Sequence, residues 1–101
     1  MNQFSIYKYE NLSDALKSKY NRKLSQKLEI LMNDINKDDV FDFSSVDEFV
    51  TSKGEVSNAT SIVVDIFSKI SAGIQAGSGN QILFNDILLA FTDSWEETNS
   101  R

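Results

Sequence analysis

Apolar residues recur at three- and four-residue spacing along most of the chain, the period of an amphipathic α-helix. The clearest case begins after Asn11 or Ser13, either of which can cap a helix, with Asp14 in the first turn. Its apolar positions are Leu12, Leu16, Tyr20, Leu24, Leu28, Leu31 and Ile35. Unbroken, residues 12–36 would span about 37 Å, whereas a compact domain of this length is about 34 Å across. The helix would therefore either protrude from the domain or break, and we expect a break or bend near Asn21.

Capping residues predict a short helix in the middle of the chain and a longer one after it. Ser45 and Glu48 match the capping box Ser-x-x-Glu, and Gly54 would end the short helix. Ser57 or Asn58 would begin the longer helix. Its broad apolar face predicts a central, well-buried position, with apolar residues at Ile62, Val63, Ile66, Phe67, Ile70 and Ile74.

A last helix is predicted after the turn that Gly77 and Gly79 provide. Asn80 would cap it, and a polar tail at residues 96–101 is expected to fray. One side is apolar, with Leu83, Phe84, Ile87, Leu88, Phe91 and Trp95, whereas Asn85, Asp86 and Asp93 lie opposite.

The first ten residues allow two interpretations. Phe4 and Ile6 alternate with polar neighbours, which is typical of a short strand, but the segment is equally compatible with an extended arm lying on the core. The predicted fold is all-α, a single domain over residues 1–101 with four to five helices in a bundle. The alternative is an α+β fold in which residues 3–9 and 39–44 pair as two short strands.

Composition narrows the chemistry. The chain has 101 residues, of which 41% are hydrophobic, and it contains neither His nor Cys. The commonest catalytic and metal-binding side chains are therefore missing, and we expect no enzyme activity and no cofactor. No signal peptide is recognisable and no apolar stretch is long enough to span a bilayer, so we expect a cytoplasmic protein that does not bind membranes.

Basic and acidic side chains are unevenly distributed along the chain. Residues 1–37 carry seven basic and four acidic side chains, a net +3, whereas residues 38–101 carry three and eleven, a net −8. A basic front and an acidic back suggest surfaces for charged partners, or attraction between copies of the chain.

The segment that begins Asp34-Ile35-Asn36-Lys37-Asp38 resembles the loop of an EF-hand, because oxygen ligands alternate along it. The sixth position is Asp39 where such loops have Gly, and the twelfth is Ser45 where they have a bidentate Glu. We therefore interpret it as an acidic, solvated loop and expect no metal site.

Two charged surfaces are candidates for binding a partner. The first is the acidic segment, which combines carboxylates with an aromatic anchor and suits a basic groove on another protein; its residues are Asp38, Asp39, Phe41, Asp42 and Asp47. The second is a basic helix face formed by Lys19, Arg22, Lys23 and Lys27. The acidic chain as a whole makes nucleic acid an unlikely ligand for that face.

These features predict a small acidic protein that binds and inhibits or regulates another protein, as immunity proteins, antitoxins and phage anti-defence proteins do. A self-associating helical assembly subunit is the alternative, with the basic front of one copy meeting the acidic back of the next. A nucleic-acid-binding regulator is a third possibility. Frequent Asn, Ile, Lys, Ser and Phe suggest an AT-rich coding sequence of a phage or bacterium.

Overall fold

Five α-helices and no strand are present among the residues that the structure, a computed structural model, describes: 3–34, 42–77 and 81–99. The helices are α1 (Ile6–Glu10), α2 (Asp14–Asn33), α3 (Ser44–Thr51), α4 (Ala59–Ala76) and α5 (Gln81–Asn99). The prediction of an all-α bundle is confirmed. α5 packs against both α2 and α4, and α3 packs against α2 and α4.

The N-terminal segment is a helix where the alternation of apolar residues indicated a strand. The Ser5 hydroxyl accepts a hydrogen bond from the backbone N–H of Lys8, at 3.2 Å, and so caps α1. Phe4, just before the cap, contacts Tyr9 in the fourth helical position, with 6.2 Å between ring centroids. This pair is a hydrophobic staple. The strand prediction for residues 3–9 is therefore wrong, and its suggested partner strand lies partly outside the described residues.

Phe4 fixes the start of the chain to the core. Its ring lies 5.5 Å from that of Tyr20, with the planes only 10° apart, and 5.0 Å from that of Phe67. Edge contacts with Phe91 and Trp95 complete the cluster. Aromatic contacts of this kind add to the free energy gained by burying the rings, so α1 is held in place although it is only five residues long.

α2 runs from Asp14 to Asn33 without interruption, so the predicted break near Asn21 is wrong. Its 20 residues span about 30 Å, which fits within the longest dimension of the protein, 36 Å. The sequence overestimated the helix at both ends, because Leu12 precedes it and the helix ends at Asn33, with Asp34 in the C-cap position. Tyr20, Leu24 and Leu28 are buried as predicted.

α3 begins without the predicted capping box. Phe43 occupies the N-cap position, and its side chain forms no capping hydrogen bond. Instead, Asp42 Oδ1 accepts hydrogen bonds from the backbone N–H of Ser44, at 3.0 Å, and from its hydroxyl. Ser45 donates to Asp65 on α4 at 3.1 Å. The chain uses Asp42 because a carboxylate two residues ahead can form an Asx turn at the helix start.

The turn after α3 packs closely on α2. Lys53 and Gly54 both have positive φ, 57° and 78°, and the Gly54 N–H donates to the carbonyl of Phe49 at 2.9 Å. A Cβ at Gly54 would lie 2.8 Å from the carbonyl oxygen of Asn21. Glycine is therefore required both by the backbone angle and by the close approach.

The last two helices follow the sequence prediction in their interiors and depart from it at an end. α4 buries Ile62, Val63, Ile66 and Ile70 and ends at Gly77 in the left-handed conformation. Asn80, the predicted cap of α5, lies outside the described residues. α5 continues to Asn99 and buries Thr98, so residues 96–99 are helical rather than frayed.

Candidate functional site

The acidic segment is only partly described. Asp38, Asp39 and Phe41 lie outside the described residues, as does most of the segment that resembles an EF-hand loop. Asp42 is exposed, and its hydrogen bonds from the side chain and backbone of Ser44 lower the pKa of its carboxyl. Asp42 therefore has a structural role in starting α3 while it still presents a negative charge to solvent.

Asp47 lies in the first turn of α3, where a carboxylate interacts favourably with the helix dipole. On the neighbouring α4, Asp65 Oδ2 lies 3.1 Å from the ammonium of Lys69, so that carboxylate already has a cationic partner. Asp42, Asp47 and Glu48 lie close together in sequence at the start of α3, so three carboxylates are grouped at this helix start.

The predicted basic face is divided by contacts with α5. Lys27 Nζ lies 2.8 Å from Glu97 Oε2, and Lys23 Nζ lies 3.7 Å from Glu97 Oε1. Arg22 is exposed and lines a different depression, of about 420 Å³, together with Lys53 and Gly54. Lys19 remains half-buried on α2. Two of the four predicted cations, Lys23 and Lys27, therefore share one carboxylate of α5.

A groove between α2 and α5 is lined largely by apolar side chains. It has a volume of about 270 Å³, and its floor and walls include Ile30 and Leu31 of α2 and Leu89 and Ala90 of α5. Ile30 and Leu89 are 65% and 57% exposed. Large aliphatic side chains that line a common groove at this exposure are typical of binding surfaces.

The rim of this groove is charged. Asp86 and Asp93 flank Leu89 on α5, and Lys27 lies on the α2 side. The rim is net acidic, because it has two carboxylates against one ammonium, and that ammonium lies 2.8 Å from Glu97 Oε2. Ile82, which is 80% exposed, lies seven residues before Leu89 and therefore on the same side of α5.

The sequence contained a signal for this groove. Asp86 and Asp93 were assigned to the polar side of the last helix, and Ile82 and Leu89 share that side at spacings of four, three and four residues. Apolar residues within a polar helix face are candidates for an interface. Ile30 likewise lies off the buried stripe of α2, beside Glu29. The predicted surfaces did not include these residues, since those surfaces were selected on charge and, for the acidic segment, on an aromatic anchor.

Within the described parts of the chain, no cluster of three or more carboxylates is placed to hold a metal ion. None of the described helices is long and apolar enough to cross a membrane. Comparison with known proteins yields no match to a family model, to a curated protein or to a solved structure.

Proposed function

We propose that this chain is a small non-enzymatic protein that binds another protein and inhibits or regulates it. The observation that carries the proposal is the groove between α2 and α5, where Ile30 and Leu89 are exposed side by side with acidic residues at the rim. Burial of such side chains against a partner supplies affinity, and the surrounding charges supply specificity. The absence of His and Cys supports a role in binding rather than in catalysis.

The acidic segment contributes a second feature of the proposal. Asp42 and Asp47, together with Asp38 and Asp39 in the sequence, give this part of the chain a negative potential that would speed encounter with a basic partner surface. Changing Asp38, Asp39 and Asp42 to Asn should slow association and flatten its salt dependence. Asn at position 42 keeps an oxygen that can accept from Ser44, so the charge is removed without deleting the helix start.

We propose that the chain acts in the cytoplasm. That compartment is reducing, and a chain without Cys has no disulfide bond that reduction could break. The small size and the acidity of this chain are the features that support an inhibitor of the immunity, antitoxin or phage anti-defence type.

Self-association is the second candidate function. It is favoured by the sorting of charge along the sequence, in which the first 37 residues carry +3 and the remainder −8. Contact between the basic part of one copy and the acidic part of the next would produce oligomers that salt dissociates.

A tagged pull-down at moderate salt, combined with the mass of the purified protein in solution, tests the proposal. We expect one foreign protein in stoichiometric amount and a free chain of 11.4 kDa. Recovery of the chain alone, at a multiple of that mass, would replace the proposal with the assembly subunit. Recovery of neither partner nor oligomer would reject both.

A further inference from the structure

We propose that the groove between α2 and α5 accepts an amphipathic helix of the partner whose apolar side chains are flanked by Lys or Arg. This inference rests on the proposed function and names the chemistry of the partner. It is carried by the combination of apolar floor and acidic rim, since either feature alone would fit many ligands.

The charge of the rim selects a cationic partner. Among the described residues that line the groove, Asp86 and Asp93 are acidic and Lys27 is basic. Lys27 is held by Glu97 at 2.8 Å, and the pKa of the Glu97 carboxyl is lowered chiefly by the hydrogen bond from Lys27. Asp86 and Asp93 have no ion-pair partner among the described residues. A Lys or Arg at the edge of a docked helix would supply one.

The spacing of the apolar side chains suits a helix. Ile82 and Leu89 lie about 10 Å apart along the axis of α5, the distance that separates residues i and i+7 of a second helix. Together with Ile30, which lies on the α2 side of the groove, these two residues form an apolar strip. A partner helix with large apolar residues at i, i+3 or i+4, and i+7 would therefore meet this strip along its length, which is the usual pattern of helix-in-groove recognition.

A second copy of the chain fits this groove poorly. In a two-fold symmetric contact the same surface meets itself, so Asp86 and Asp93 would face the same carboxylates of the other copy. Like charges facing each other across an interface are unfavourable, and Lys27 is already engaged. The occupant we infer is therefore a different, basic protein segment.

Fluorescence anisotropy with two labelled model peptides tests the inference on the full chain. One is an amphipathic helix of Leu and Lys, about 18 residues or five turns long, and the other has Glu in place of Lys. We expect the Leu/Lys peptide to bind and the Leu/Glu peptide not to bind. Ile30→Ser and Leu89→Ser should each weaken binding about tenfold or more, whereas Tyr7→Ser, which removes an exposed aromatic outside the groove, should have no effect.

A matched pair of double variants distinguishes the contribution of the acidic rim from a general attraction of the cationic peptide to an acidic protein. Asp86→Asn with Asp93→Asn should weaken binding of the Leu/Lys peptide about three- to thirtyfold at low salt. Glu10→Gln with Glu55→Gln removes the same charge at exposed positions outside the groove and should weaken it less than twofold. Equal weakening by the two pairs would overturn the inference, as would equal binding of the Leu/Glu peptide.

Three further outcomes separate this inference from the proposed function. If the purified chain is a dimer that Leu89→Ser dissociates, the occupant is a second copy and the inference is wrong. If a foreign protein is captured but excess Leu/Lys peptide does not displace it, the inference is wrong while the proposed function stands. If nothing is captured, the proposed function fails, and the peptide measurements still decide the chemistry of the groove.

Discussion

The Tyr9 hydroxyl donates a hydrogen bond to Asn21 Oδ1 at 2.7 Å, and both side chains are buried. This bond joins α1 to the middle of α2 and gives the Asn21 amide oxygen a partner inside the bundle. It also explains why α2 does not bend there: an Asn side chain that is bonded to another helix does not compete for the backbone of its own.

Tyr9→Phe should therefore destabilise the fold. The substitution leaves Asn21 Oδ1 buried without its donor, and an unsatisfied buried polar group costs about 1–3 kcal/mol. Urea unfolding followed by circular dichroism measures the change in the free energy of unfolding. Tyr7→Phe, which alters a side chain that is 77% exposed, is the control and should leave stability unchanged. Equal stability of the two variants would mean that the bond contributes nothing.

Gly54→Ala and Gly77→Ala form a second matched pair. Both glycines have positive φ, 78° and 67°, but only at Gly54 would a Cβ meet other atoms, 2.8 Å from the carbonyl oxygen of Asn21. Gly77→Ala should cost about 1–2 kcal/mol, the penalty for a left-handed backbone. Gly54→Ala should cost clearly more, because the turn must also move away from α2. Thermal unfolding of both variants compares them, and equal costs would contradict the close approach.

Stability should fall at alkaline pH. Burial raises the pKa of Tyr9 and, more strongly, that of Tyr20, whose hydroxyl donates to the carbonyl of Phe91 at 3.0 Å. Because these pKa values are higher in the folded state, the unfolded chain loses its phenol protons first as pH rises above about 10. The free energy of unfolding then decreases with pH, by up to about 1.4 kcal/mol per pH unit for each tyrosine. Tyr20→Phe should reduce this slope in unfolding curves measured between about pH 9 and 11; an unchanged slope would show that Tyr20 does not carry the effect.

Glu97 should make a small, salt-sensitive contribution. Its contacts with Lys27 and Lys23 lower the pKa of the carboxyl, so the contribution is present at neutral pH and is lost as pH falls through that lowered pKa. The side chain is 46% exposed, and Glu97→Gln should cost less than about 1 kcal/mol at low salt. At about 1 M salt, where the Debye length is about 3 Å, the difference should largely disappear. A cost that persists at high salt would indicate a packing effect instead.

The sequence predicted the interior of the bundle better than its edges. Spacing alone identified the buried faces, because residues such as Leu24, Ile66 and Phe91 are repeated with the helical period. It failed where a contact distant in sequence decides the structure. A break near Asn21 was expected because the apolar pattern over residues 12–36 is longer than the domain, and the bond from Tyr9 that stabilises Asn21 within α2 cannot be read from local sequence. Residues 96–99 were expected to fray because the contact of Glu97 with α2 was not foreseen.

The candidate site was predicted less well than the fold. Charge drew attention to Lys23 and Lys27, yet the structure pairs both with Glu97. The groove is defined instead by Ile30 and Leu89, whose exposure depends on how α2 and α5 cross. A helix face that mixes Ile82 and Leu89 with acidic residues was visible in the sequence, but only the packed structure shows that Ile30 joins it.

Capture of the partner by groove variants tests the central claim most directly. The wild-type chain, the double variant Ile30→Ser/Leu89→Ser and the control Tyr7→Ser should be used as bait under identical conditions, after circular dichroism has shown that all three are folded. We predict that the wild type and the control recover the same foreign protein in stoichiometric amount and that the double variant does not. Recovery of that protein by the double variant in undiminished amount would contradict the claim that this groove is the binding surface.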